Sequence, residues 1–174
     1  MEEKRAALLI KHRNLKVERV EREAEKIVYY LSRGDERHVM LCIIGQKTLG
    51  IAYVRELKEL VDKAEASKGI MVGDGKYTYS ARNNSSKMGI ELVPSTLPTF
   101  DLFKHDLVPR HEILTEEERR EILKRFHAKP YQFPWIKASD PIAILLGGEP
   151  GDIIRVIGES ATAGRYESYR YVVK

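Results

Sequence analysis

The sequence predicts two small mixed domains in series, an α/β domain over residues 1–100 and an α+β module over residues 101–174. Three observations carry that prediction. In the first part, short apolar runs of strand length alternate with a helix-period stripe, the pattern of a sheet covered by helices. Between the parts, Pro94-Ser95-Thr96-Leu97-Pro98-Thr99 packs two prolines and three hydroxyl residues into six positions, a composition that marks a boundary. In the second part, two helix-start signals precede a pair of strand-like runs.

Element by element, Glu2 to Leu15 reads as a helix, followed by strands at Lys16–Glu21 and Lys26–Leu31, the second favoured by Tyr29 and Tyr30. Arg33-Gly34-Asp35-Glu36 supplies a turn. His38 to Ile44 is an apolar run that stops at Gly45, as a buried central strand would. From Gly50 to Ser67, Ile51, Val54, Leu57, Val61 and Ala64 recur at spacings of three and four, which places one stripe against a sheet. Ile70-Met71-Val72 returns as a strand, Gly73-Asp74-Gly75 turns, a shorter helix covers Thr78–Lys87, and Ile90–Val93 closes the domain. The expected order is α-β-β-β-α-β-α-β.

In the second part, Thr115-Glu116-Glu117-Glu118 is a capping box, with hydroxyl and carboxylate each satisfying the other residue's backbone N–H. The helix it starts runs to about Arg125, with Ile122, Leu123 and Phe126 as its buried side. Ser139-Asp140-Pro141 starts a second helix, because proline at the first helical position gives up an N–H that has no partner there, and Gly147-Gly148 stops it. Strands at Asp152–Glu159 and Ser168–Val173 are joined by a hairpin connection at Thr162-Ala163-Gly164-Arg165.

Composition removes several classes of function. Of 174 residues, 43% are hydrophobic and 32% charged, the mix of a globular protein, with neither a long apolar run nor a leader-like start, so a cytosolic location is expected. One cysteine, Cys42, lies inside an apolar run; it permits neither an intramolecular disulfide nor a multi-cysteine zinc site and reads as core. The net charge of +4 comes from the first part, where 18 Lys/Arg face 14 Asp/Glu; residues 101–174 balance at 12 and 12. That surplus suits proximity to nucleic acid but is no clustered basic stripe. Gly73-Asp74-Gly75-Lys76 lacks the spacing of a phosphate loop and reads as a turn.

Four strings of the second part fall in a recognisable order: Asp106-Leu107-Val108-Pro109-Arg110-His111-Glu112; Pro134-Trp135-Ile136-Lys137-Ala138-Ser139-Asp140-Pro141; Pro150-Gly151-Asp152-Ile153-Ile154-Arg155; and Thr162-Ala163-Gly164 leading to Tyr169-Arg170-Tyr171-Val172. Together they resemble a small archaeal DNA-directed RNA polymerase subunit, the counterpart of the fifth-largest subunit of the eukaryotic polymerases, where the same module forms the C-terminal part. Gly158 and Ala161 depart from it, standing where the family often has Arg and Pro. More distantly, residues 1–100 resemble the N-terminal domain of the eukaryotic subunit, whose fold is of the restriction-endonuclease type.

The resemblance implies a non-catalytic subunit, without cofactor or metal, that docks on the largest polymerase subunit at the lower jaw facing downstream DNA. It would reside in the cytoplasm, or in the nucleus of a eukaryote. Under it, Val108, Pro109, His111, Trp135, Asp140, Thr162, Gly164 and Tyr169 are the candidate partner contacts. Trp135 reads equally as a core residue. His111 reads as a hydrogen-bonded surface or interface histidine rather than a metal ligand, since no second His or Cys stands at ligand spacing. Arg55, Lys58 and Lys63 form a basic helix face, a solvated surface or a DNA-facing one. A stand-alone transcription regulator and a metal-dependent nuclease are the alternatives. The nuclease requires an Asp on one central strand and Glu/Gln-x-Lys on the next. Here Lys26–Leu31 has no interior acid, Gln46 and Lys47 are adjacent beyond Gly45, Asp35 lies in a turn, and Glu18 and Glu21 belong to an earlier strand. An inert fold is expected.

Overall fold

In a computed structural model the chain forms two units, Met1–Phe100 and Asp101–Lys174. The structure describes residues 1–160, 162 and 164–174, with the backbone alone at Ser160; Ala161 and Ala163, which belong to the family comparison and the expected hairpin connection, lie outside the described residues.

The first unit runs α1 (Glu2–His12), β1 (Lys16–Arg22), β2 (Lys26–Arg33), β3 (Glu36–Ile43), β4 (Thr48–Leu49), α2 (Ile51–Lys63), β5 (Lys68–Gly73), β6 (Lys76–Tyr77), α3 (Tyr79–Ser85) and β7 (Ile90–Val93). Its main sheet has the order β1-β2-β3-β5-β7; β1, β2 and β3 form an antiparallel meander and β3, β5 and β7 are parallel. Side chains alternate across β3. Val39, Leu41 and Ile43 meet Val54, Leu57 and Val61 of α2, while Met40 and Cys42 are buried on the opposite face. Burial pushes the Cys42 thiol up to about 12, so it stays protonated and inert at neutral pH.

Two strands that periodicity does not reveal, β4 and β6, are a two-residue parallel pair, too short to show a period. Their approach explains Gly75. A side chain there would run into the backbone of Gln46 and Lys47, so the Gly73–Lys76 string is a close-packed turn. The expected boundary segment is fastened to this unit: the Arg5 guanidinium, itself buried, donates to the carbonyl oxygens of Leu97 (2.7 Å) and Ser95 (2.6 Å) and to Asp74 (2.7 Å).

The second unit contains β8 (Arg110–Ile113), α4 (Glu116–Arg125), β9 (Trp135–Lys137), α5 (Pro141–Leu146), β10 (Ile153–Ser160) and β11 (Gly164–Val173), with 3-10 turns at Leu102–Lys104 and Pro130–Gln132. The sheet order is β8-β10-β11-β9, with β9 parallel to β11 and the other pairs antiparallel. One face packs on α4 through Leu114, Ile122, Ile153 and Tyr169; the other packs on α5 through Ala143, Ile154, Val156 and Val172.

Both helix starts form as read. Thr115 Oγ1 accepts from the Glu118 N–H at 3.3 Å, and the Glu118 carboxylate accepts from the Thr115 N–H at 2.9 Å. Asp140 accepts from the Ile142 N–H at 2.8 Å ahead of Pro141. Glu118 also takes part in a cluster in which Arg155 bonds Glu112 (2.8 Å) and Glu118 (3.0 Å), tying α4 to β8 and β10. Thr115→Ala is expected to destabilise this unit by about 1 kcal/mol, read as a lower urea midpoint of Trp135 fluorescence, with Thr115→Ser close to wild type.

Three details depart from the sequence reading. Strand β11 begins at Gly164, not Ser168, because ladder pairing carries Arg165, Tyr166 and Glu167 although all are exposed. The edge strands β8 and β9 have short, mixed-polarity sequences, and no apolar period announces them. Phe126 is not on the buried side of α4: it caps the helix and is 50% exposed, with its ring edge against Phe133 and Tyr169.

Candidate partner-binding faces of the second unit

The sheet sorts the candidate contacts onto two opposite faces. His111 pairs with Val156 across β8 and β10, and Val156 packs on α5, so His111 points to the α5 side. There its ring tilts against Phe103 at 5.9 Å, and its Nδ1–H donates to the Pro109 carbonyl oxygen at 2.7 Å. Burial pushes the imidazole pKa down, against the opposing effects of that bond and of Asp140. The ring is therefore neutral at physiological pH, with Nε2 left as an acceptor. Val108 and Pro109, half-buried, lead into β8.

Trp135 pairs with Tyr171, which packs in the α4-side cluster, so the indole stands on the other face. It is 66% exposed, which removes the core reading. Its Nε1–H donates to the Tyr131 carbonyl oxygen at 3.1 Å and fixes the ring. Tyr169 is a correction. It is 6% exposed, set between Phe126 and Phe133, and serves as core rather than as a docking contact. Helices pack on both faces of this sheet. Thr162 and Gly164 are exposed at the β10–β11 end.

Sequence reasoning misses a groove lined by Leu107, Pro109, Arg110, Ile157, Gly158 and Tyr166. Leu107 is 85% exposed. A Cβ at Gly158 would lie 2.5 Å from the Tyr166 ring, which covers it from the paired strand. Gly158 is thus roofed by an aromatic ring. The exposed aromatics Phe126 and Tyr131 escape it as well; helical period assigns the first to core, and the second lies in a turn.

In the first unit, Arg55, Lys58 and Lys63 all lie on α2, but Lys58 pairs with Asp62 at 2.6 Å, and Glu59 and Asp62 are interspersed on the same exposed side. Asp35 is in the β2–β3 turn, Glu18 and Glu21 are on the edge strand β1, and Gln46 and Lys47 follow β3. No helix among the described residues is long and apolar enough to cross a membrane.

The recognisable strings of this unit form β8, β9 with the start of α5, the turn into β10, and β11. Comparison with known proteins gives it a family. The model for RNA polymerase Rpb5, C-terminal domain, matches residues 100–172. DNA-directed RNA polymerase subunit Rpo5 of Thermococcus onnurineus is 51% identical over 75 residues, which are 43% of this chain and 92% of that protein. The Sulfurisphaera tokodaii protein of the same name is 52% identical over 73 residues, 42% of this chain and 87% of its own length. That of Sulfolobus acidocaldarius is 46% identical over 79 residues, 45% and 94% respectively. The chain belongs to this family of DNA-directed RNA polymerase subunits. Residues 1–99 lie outside the family model's match.

Proposed function

We propose that the second unit anchors the chain to the largest subunit of an RNA polymerase, and that the chain acts there as a non-catalytic, cytoplasmic scaffold of the lower jaw. The observation that carries the docking reading is the α5-side surface of β8. Its neutral His111 is held by Pro109, leaving Nε2 to accept a hydrogen bond from a partner, and next to it lies a groove in which Leu107 and Tyr166 stand among the charged Asp106, Arg110, Glu159 and Arg165. Asp140, on the same side, caps α5 and contributes by fixing that helix. Thr162 and Gly164 extend the surface at the hairpin end.

The first unit is proposed to be a restriction-endonuclease-type fold without nuclease activity, projecting toward downstream DNA. Its antiparallel meander followed by parallel strands supports the fold reading, and the scattered positions of Glu18, Glu21, Asp35, Gln46 and Lys47 support the loss of chemistry. Any contact of Arg55 and Lys63 with DNA would be to phosphates and salt-dependent; Lys58 is the weakest candidate, since Asp62 already engages it.

The test is affinity purification of the tagged full chain from native extract, with the largest polymerase subunit identified by mass spectrometry. His111→Ala is expected to lower retention of that subunit several-fold at moderate salt without changing the melting temperature. Undiminished retention in His111→Ala and Pro109→Ala together would move the docking surface elsewhere.

A further inference from the structure

The face opposite His111 carries a second arrangement that docking through β8 does not use. Between Ile122 and Ser139 the chain has no Asp or Glu, but holds Lys124, Arg125, Lys129 and Lys137 together with Phe126, Tyr131, Phe133 and Trp135. Three of these rings are open: Trp135 is 66% exposed, Tyr131 56% and Phe126 50%. Two of them, Trp135 and Phe126, are held in place. The indole N–H is bonded to the Tyr131 carbonyl, and Phe126 rests on Phe133 and Tyr169 in edge contacts. The cations accompany the rings, with the Arg125 guanidinium 5.7 Å from the Phe126 centroid and the Lys129 ammonium 6.0 Å from that of Tyr131. Trp135 and Lys137 are two apart on β9 and so project to the same side. Elsewhere on this unit Arg110, Arg119 and Arg155 are engaged by carboxylates, but none of the four cations of this patch has a carboxylate within ion-pair distance among the described residues.

We propose that this patch binds single-stranded nucleic acid. Fixed, exposed aromatic rings are platforms for unstacked bases, and neighbouring uncommitted cations match the phosphates that separate them. An acidic peptide would satisfy the charges alone; three flat rings, two of them with a cation alongside, are what a run of bases adds. A duplex, with its bases stacked inside, meets only the cations. The preference is therefore for single strands, tolerant of sequence.

Trp135 is the chain's single tryptophan, so its fluorescence reports the site directly. The experiment titrates the purified full chain with fluorescein-labelled oligo-dT and oligo-rU of about 12 nucleotides, following anisotropy and, with unlabelled strands, Trp135 emission. Expected are quenching of Trp135 on binding and affinity that falls by about 50-fold between about 50 and 200 mM salt, from four phosphate contacts. Trp135→Ala is expected to weaken binding at least about tenfold through lost stacking, with Trp135→Phe recovering part of it and the melting temperature unchanged. A Lys129→Ser/Lys137→Ser pair, which leaves the rings in place, is expected to flatten the salt dependence. Equal affinity for a duplex of the same length, or oligonucleotide binding without quenching, would overturn the stacking assignment. Absence of oligonucleotide binding, with Trp135→Ala instead losing the largest polymerase subunit in pull-downs, would overturn the proposal and make Trp135 a protein anchor.

Discussion

Replacing Arg5 with alanine is expected to destabilise the first unit by about 3 kcal/mol, the scale for withdrawing one partner from a buried charged network. Arg5 is 5% exposed, and its guanidinium donates to two carbonyl oxygens, Leu97 and Ser95, and to the Asp74 carboxylate. Alanine would leave both carbonyls without that donor and a cavity beside Leu97, which is itself buried. Arg5→Lys is expected to recover little, because one ammonium cannot span three acceptors with the planar fork's geometry. The measurement is the thermal transition by far-UV circular dichroism together with proteolysis at residues 94–100, which is expected to accelerate. An unchanged midpoint and cleavage rate would show that Arg5 does not hold this segment.

The second large effect is the acid sensitivity of Glu91. Burial raises its pKa, but the bidentate Arg13 guanidinium (2.6 and 2.9 Å) and the Lys68 ammonium (3.0 Å) outweigh that and hold it at about 2. A carboxyl depressed on folding stabilises the fold above its unfolded value near 4.5, and the contribution disappears as pH falls toward about 2. The window is therefore pH 4.5 to 2, and the stabilisation at stake is about 3 kcal/mol. Glu91→Gln is expected to lower stability by that order at pH 6 and to remove most of the difference at pH 2. Parallel stability curves for variant and wild type from pH 6 to pH 2 would contradict this.

These two clusters show where sequence reading stops. In the sequence, Arg5 and Arg13 resemble solvated residues of a charged N-terminal helix, because their partners stand 69 to 92 positions away. No local pattern encodes such a pairing. What is local was legible. The Thr115 capping box, the Asp140-Pro141 helix start, the α2 stripe and the central strand β3 depend on neighbours within one turn or one strand, and all formed. The edge strands of the second unit were not legible, since β8 and β9 take their conformation from the ladders of β10 and β11 rather than from an apolar period of their own.

The candidate contacts divide the same way. His111 and Trp135 can be named from the strings that contain them, but their placement on opposite faces follows from ladder register, His111 beside Val156 and Trp135 beside Tyr171. Tyr169 is named through the resemblance alone, and its register on β11 places it in the α4-side core between Phe126 and Phe133. The exposed ring of Phe126 is hidden by an error in which helical period stands in for burial, and that of Tyr131 lies in a turn with no period to place it.

The measurement that bears most directly on polymerase anchoring is a parallel pull-down of the tagged full chain and of residues 101–174 from native extract, probed for the largest polymerase subunit. Both are expected to bring it down, with the second unit sufficient. Failure of both, under conditions in which polymerase in the extract is intact, would contradict anchoring and favour a regulator acting apart from the enzyme.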